Sequence, residues 1–250
     1  LGFTTSTPAI VKARLEGASG YASPSADRWL LAFGSGPTIL DTATSDQTAG
    51  LFLYDLESLS FVSGYAPLSL GDSNSYVGNI GVADWESDYV DDALYFGVNS
   101  GINASETGRI ARVRLGSSDT SNFDENTWLS YGVSNKGTLY NSQRTTLGTP
   151  LPVRDNNGKR WVYAGTGRLF TAGDNSSDKQ QYYYGIMEPL DADGAETLGT
   201  VVSSELEDST DIRVFTNGEV DRNGSSFQIP SGTDIANFNQ LAYAISNATQ

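Results

Sequence analysis

The sequence predicts an all-β fold: a β-propeller, incomplete or modified and carrying long loops, with one amphipathic helix at its C-terminal end. Three observations lead there. One plan occurs three times, a Gly-terminated apolar strand followed by a loop and a second strand of alternating or aromatic character. The glycines Gly34, Gly97 and Gly165 mark equivalent points of the three copies, at steps of 63 and 68 residues. Each copy has too few apolar residues to bury both faces of its own sheet, so each must stack on a neighbour.

The first copy reads Thr7–Val11, a polar insert, Arg28–Gly36, a loop, and Gly50–Leu56. The second reads Asn79–Ala83, an acidic stretch, Ala93–Gly97, a loop, and Gly108–Leu115. The third reads Thr149–Val153, the turn sequence Asp155-Asn-Asn-Gly158, Arg160–Gly167, a loop, and Gln181–Met187. Asn157-Gly158 suits a type I′ hairpin turn, whose two central residues need positive φ. Trp29 and Trp161 stand at equivalent repeat positions, which predicts that both fill the space between sheets. Gly34, Gly36, Gly165 and Gly167 read as tight strand exits. Three copies are fewer than the 4–8 blades typical of a closed ring.

The tail differs in period. Ile235, Phe238, Leu241, Ala242 and Ile245 recur at helical spacing behind an N-cap at Thr233 or Asp234, so residues 231–247 are expected to form a helix packed on the last sheet. The whole stretch 1–250 is read as one propeller-type domain or part of one, and the start at Leu1 as a piece of a longer chain.

Composition excludes much chemistry. The chain has no His and no Cys, which removes imidazole-based triads, thiolate catalysis and the usual zinc and haem ligands. With 30 acidic against 15 basic residues the formal charge is -15, which disfavours nucleic acid as a partner. No apolar run approaches the length of a membrane span. No catalytic motif is visible, and the chain reads as a binding protein rather than an enzyme.

One stretch is chemically distinctive. GVADWESDYVDDALYFG, residues 81–97, places five carboxylates within nine residues, and no Lys or Arg occurs between Trp29 and Gly108. Such a cluster is costly unless water, helix N-termini or a cation relieves it. Asp84, Glu86, Asp88 and Asp92 occupy positions 1, 3, 5 and 9 of a short loop, and Val90 at position 7 can offer its carbonyl. Hard oxygen donors in this number suit Ca²⁺ better than Mg²⁺. Position 6 is Tyr89 instead of Gly, and position 12 is Tyr95 instead of Glu, so the loop is not an EF-hand. The alternative is an exposed acidic turn. A second run, Asp191-Ala-Asp-Gly194-Ala-Glu196, reads as a Gly turn. The cluster Tyr182-Tyr183-Tyr184 admits carbohydrate binding, but alternating strand tyrosines more often pack between sheets.

These motifs, in this order, resemble the C-terminal β-propeller of the PilY family of type IV pilus proteins: Thr7–Val11, Trp29–Gly36, Ala93–Gly97 with Gly108–Leu115, Val162-Tyr-Ala-Gly-Thr-Gly-Arg168 and Tyr183-Tyr-Gly-Ile186. The resemblance runs from about Thr7 to Pro189. It implies a calcium site in the loop before the strand, falling on Asp84, Glu86, Asp88 and Asp92, with Glu86 where the family has Asp. It further implies a pilus-tip or pilus-biogenesis factor on the outer cell surface, acting in adhesion and in control of extension and retraction. Its partners would be minor pilins at the fibre tip, together with a host or surface ligand. Two other readings stay open. An integrin-like calcium-loop propeller usually repeats its metal loop in successive blades, whereas only one stretch here has it. A quinoprotein-type dehydrogenase propeller would carry a Trp-docking repeat, which this chain lacks.

Overall fold

Along β2 (Asp27–Gly34), Leu30 and Ala32 are fully buried while Trp29 is 58% exposed, the period-two alternation of a strand with one face on a core. The same phase runs through its partners β1 (Ala9–Arg14) and β3 (Gly50–Asp55), where Val11, Ala13, Leu51 and Leu53 point inward. The computed structural model describes all residues except 1, 4, 15–26, 86, 102–104, 116–134, 175–178, 191–196, 209–211, 215–218, 223–224 and 229–250. It divides into two units, Leu1–Val202 and Ser203–Gln250.

The first unit contains three antiparallel sheets. Sheet 1 has the order β1-β2-β3-β4, with β4 at Ser60–Phe61 and β5 (Leu68–Ser69) also paired to β3. Sheet 2 is β6 (Ser75–Ala83), β7 (Ala93–Ser100), β8 (Thr107–Arg114) and β9 (Lys136–Tyr140), each paired to the next. Sheet 3 is β10 (Leu151–Arg154), β11 (Arg160–Gly165) and β12 (Tyr183–Met187). All nine strands predicted from the repeat are present, and chain neighbours pair from β1 to β4 in sheet 1 and throughout sheets 2 and 3, while β5 pairs back on β3. Sheet 2 lies between the other two: β6 contacts β1, β2 and β3 on one side and β10 on the other. This explains why β7 reads as an unbroken buried run instead of alternating.

The main core joins sheets 1 and 2 through Leu30, Leu51, Leu53, Val77, Leu94, Phe96 and Val113 among others. Each such side chain contributes about 1.5–3 kcal/mol by leaving water. The repeat glycines serve close approach. A Cβ at Gly34 would lie 2.2 Å from Val77 Cβ, and one at Gly97 would lie 1.9 Å from the Thr146 carbonyl oxygen. The chain from Arg144 to Pro150 crosses sheet 2 directly on Gly78, Gly81, Gly97 and Gly108, where any side chain would collide with its backbone. Asn99 holds this crossing by donating to Thr146 O (3.2 Å) and accepting from Thr146 N–H (2.7 Å). Gly34 closes β2, where the repeat places a strand exit, and also gives the close approach to sheet 2.

Two expectations change. Trp29 does not fill an inter-sheet space, because its phase on β2 points away from sheet 2. The β10–β11 turn is not type I′: Gly158 has φ 80°, but Asn157 is not among the residues of positive φ. Instead Gly158 N–H donates to Asp155 O and Asp155 N–H donates to Lys159 O, both 2.9 Å, a type I turn followed by a left-handed glycine. The Asp155 carboxylate stabilises it by accepting from Asn157 and Lys159 N–H groups.

After β12 the chain returns to sheet 2. Val201 bridges Tyr140 in parallel and donates its N–H to Leu139 O at 2.9 Å. The second unit holds one 3₁₀ turn at Ser203–Glu205 and a three-stranded antiparallel sheet, β13 (Ile212–Val214), β14 (Glu219–Arg222) and β15 (Ser225–Gln228). The helix expected over 231–247 lies outside the described residues. No helix among the described residues is long and apolar enough to cross a membrane.

Candidate metal centre

The acidic stretch is the hairpin loop between β6 and β7, which pair up to Ala83↔Ala93. Its two ends are fixed by Asp92, whose N–H donates to Ala83 O at 2.7 Å and whose Oδ2 accepts the Trp85 N–H at 2.5 Å. Asp92 is buried, and its carbonyl also accepts from Leu115 N–H beyond β8.

Asp84 organises the turn. Its Oδ1 accepts from the N–H groups of Ser87 (2.7 Å) and Asp88 (3.2 Å), and its Oδ2 accepts from that of Tyr89 (3.0 Å). Asp88 Oδ1 accepts from Val90 N–H at 2.8 Å. Ser87 and Tyr89 take φ of 62° and 69°. Tyr89 thus adopts the left-handed backbone that the sequence pattern reserves for glycine, at roughly 1–2 kcal/mol, which the three bonds to Asp84 offset. Its ring is exposed, so no packing opposes this.

Trp85 anchors the loop to the sheets. It is buried, meets Tyr95 edge-on at 6.1 Å between centroids, and has the Arg160 guanidinium over its face at 5.7 Å. Arg154 of β10 donates to its carbonyl at 2.8 Å. Beneath it Tyr95 donates to Glu188, and Glu188 receives Arg112 Nη1 at 2.5 Å, both side chains about 1% exposed. Arg112 Nη2 donates to Gly199 O at 2.8 Å. The loop therefore rests on a buried ionic network that ties β7 and β8 to the chain on either side of residues 191–196.

Of the predicted ligands, Asp84, Asp88, Val90 and Asp92 lie on this one loop, and Glu86 lies outside the described residues. Sequence spacing passed over Asp91. It is tied to β1 by two bonds of 2.7 Å, accepting from Lys12 N–H at Oδ2 and donating its own N–H to Lys12 O. Burial raises the pKa of its carboxyl, and the charges of Asp84 and Asp88 add to this, against the opposing pull of Lys12. The adjacent pair Asp91-Asp92 was the only signal for it.

The donor set is all hard oxygen and fits calcium in kind. A carboxylate oxygen bonded to one N–H keeps a lone pair for a cation. The described carboxylates are occupied with backbone N–H groups, and among the described residues no three acidic side chains form a ready metal cluster. The second candidate, residues 191–196, lies outside the described residues.

The Tyr cluster is split by strand alternation. Tyr184 packs on Tyr140 at 4.8 Å, whereas Tyr183 is 72% exposed and lies on the opposite face with Tyr163 and Trp161.

No family model and no curated protein matches this chain. Among solved structures it is similar to the C-terminal domain of PilY1 from Pseudomonas aeruginosa, with a TM-score of 0.53 and 17% identity. The match covers 81% of this chain and 40% of that one, so the chain spans well under half of that structure. At this identity the likeness is one of fold alone, an all-β arrangement of antiparallel sheets.

Proposed function

We propose that this chain is part of a non-catalytic, calcium-binding type IV pilus protein, acting outside the cell at the pilus tip in adhesion and in control of extension and retraction. Its three stacked meanders are read as blades of a propeller. The observation that supports this reading best is the fold likeness to a PilY1 C-terminal domain, combined with an acidic hairpin loop at the place the motif order assigns. Minor pilins are the expected partners, and a host or surface ligand is the expected target.

In this reading Asp84, Glu86, Asp88 and Asp92, with the Val90 carbonyl, hold one Ca²⁺. Bound calcium would supply charge neutralisation, drawing carboxylates together that otherwise repel. The chain itself does the rest. Asp84 shapes the turn, Trp85 fixes the loop to the sheets, and Asp91 links it to β1.

Calorimetric titration with Ca²⁺, with Mg²⁺ as control, tests the metal. Wild type is expected to bind one Ca²⁺, and Asp88→Asn and Asp92→Asn to lose at least tenfold in affinity; the amide oxygen at 92 still accepts the Trp85 N–H. Absence of calcium binding by a folded wild type removes the metal from the reading. The pilus assignment is tested separately, by whether the chain captures purified minor pilins.

A further inference from the structure

We propose that Tyr140 and Tyr184 form a modification site, a pair of phenols that a one-electron oxidant joins carbon to carbon as dityrosine, stapling sheet 2 to sheet 3. Tyr140 closes β9 and Tyr184 lies in β12, so the two rings meet where one sheet adjoins the other. Both backbones are held. Tyr140 pairs with Ile110 on one side and bridges Val201 on the other. Tyr184 pairs with Ala164, and two residues earlier Tyr182 N–H donates to Thr166 Oγ1 at 2.8 Å. Between the sheets, Gly167 N–H donates to Thr145 O at 2.7 Å and Thr146 bridges Gly167 in parallel. The strands that carry the two rings cannot drift apart there without breaking backbone hydrogen bonds.

The rings stand 4.8 Å apart between centroids, with their planes at 57°. In a dityrosine the centroids are about 4.3 Å apart, two ring radii of about 1.4 Å plus one carbon–carbon bond of about 1.5 Å. The planes of that product are also twisted, because the hydroxyls beside the new bond crowd each other. The centroids therefore need to close by only about half an ångström. What remains is rotation of each ring about its Cβ–Cγ bond, which brings the two Cε carbons into line. The hydroxyls already adjoin: burial first, and then the Tyr140 phenol as a neighbouring charge and hydrogen-bond partner, push the Tyr184 pKa up to about 12. Other tyrosine pairs are stacked instead, Tyr163 with Tyr183 at 6.3 Å and 18°, and Tyr182 with Tyr184 at 5.8 Å and 24°. Stacked faces pass an electron but do not bring ring edges together for a bond.

The oxidant is hydrogen peroxide acting through a haem peroxidase. Each phenol gives up one electron and one proton, and together these reduce one peroxide to two waters. Each neutral phenoxyl radical shares its unpaired electron with its Cε carbons. The two radicals form one Cε–Cε bond, and the hydrogen on each bonded carbon moves to its oxygen to restore the phenols. Because the fold already holds the rings side by side, coupling within the chain outruns coupling between chains. Tyr182, 42% exposed and stacked on Tyr184, gives the oxidant an outer ring from which to draw the electron. The chain has no Cys, so no disulfide ties these sheets, and the new bond closes the loop from residue 140 to residue 184. The site shares no residue with the acidic loop and stands whether or not that loop takes calcium.

The test treats the 250-residue chain, dilute and native, with a haem peroxidase and limiting hydrogen peroxide, and then isolates the monomer by gel filtration. The monomer is expected to show blue dityrosine fluorescence, a mass lower by two hydrogens, and tryptic peptides 137–144 and 180–213 joined at Tyr140 and Tyr184. Tyr140→Phe and Tyr184→Phe keep the rings and their packing, and each is expected to lower monomer dityrosine at least tenfold. Tyr182→Phe is expected to give the same product more slowly. Unfolding in urea before oxidation is expected to lower the yield at least tenfold, since the native geometry is what directs the bond. The proposal is overturned if the monomer gains no dityrosine, or if fragmentation places the bond on other tyrosines. It is equally overturned if either Tyr140→Phe or Tyr184→Phe couples as wild type does, or if the urea-unfolded chain couples as well as the native one.

Discussion

Glu188→Ala removes an acceptor shared by Arg112 and Tyr95 in the most deeply buried ion pair among the described residues. Arg112 is 1% exposed, and its Nη1 has Glu188 Oε2 at 2.5 Å. The bond from Nη2 to Gly199 O remains, but the guanidinium charge is left without a counterion in the interior. Breaking a buried pair in this way costs about 3–5 kcal/mol. That is a large share of the roughly 5–15 kcal/mol that holds a domain folded. With a urea m-value near 2 kcal/mol/M, the unfolding midpoint falls by about 1.5–2.5 M. Urea titration followed by tryptophan fluorescence and by far-ultraviolet dichroism gives the number, and the two probes must coincide for it to be used. The double variant Arg112→Met with Glu188→Leu is expected to lose less than Glu188→Ala alone, since no charge is then stranded. A midpoint for Glu188→Ala within about 0.3 M of wild type, roughly 0.6 kcal/mol, refutes the reasoning.

Gly97→Ala places a methyl 1.9 Å from the Thr146 carbonyl oxygen, which is backbone and cannot swing away, so a loss of about 1–3 kcal/mol is expected from the same urea titration. Asp174 responds to acid. Burial alone would raise its carboxyl pKa, but the Arg168 guanidinium and the N–H groups of Thr171 and Phe170 outweigh it and hold the value below the usual 3.8. Its contribution is therefore present at pH above about 4 and is lost as pH falls further, and Asp174→Asn is expected to flatten that part of the acid-unfolding curve. Equal slopes for the two proteins below pH 4 count against this.

The strands were legible because alternation and terminal glycines are local signals, and all nine predicted strands formed. What escaped depends on residues far apart in sequence. Arg112 and Glu188, 76 residues apart, carry no local sign of pairing. The exposure of Trp29 follows from which face of sheet 1 meets sheet 2, and repeat position alone does not encode this. The acidic loop was found in place with its turn-forming Asp84, yet the share of each carboxylate taken by backbone N–H groups emerges only from the folded hairpin. Asp91 was passed over because even spacing favoured Asp92, whereas the bond to Lys12 comes from a strand 79 residues earlier.

The crossing of residues 144–150 over four glycines also bears on how such chains can be found as they diverge. Apolar positions exchange freely with one another, but no side chain at all fits beneath that backbone, and Asn99 must still read both the N–H and the C=O of residue 146. Any chain that keeps this crossing must keep room for it at 78, 81, 97 and 108, with Asn99 beside it, whatever stands at its other positions. A profile weighted on those five positions would recognise distant copies that overall identity misses.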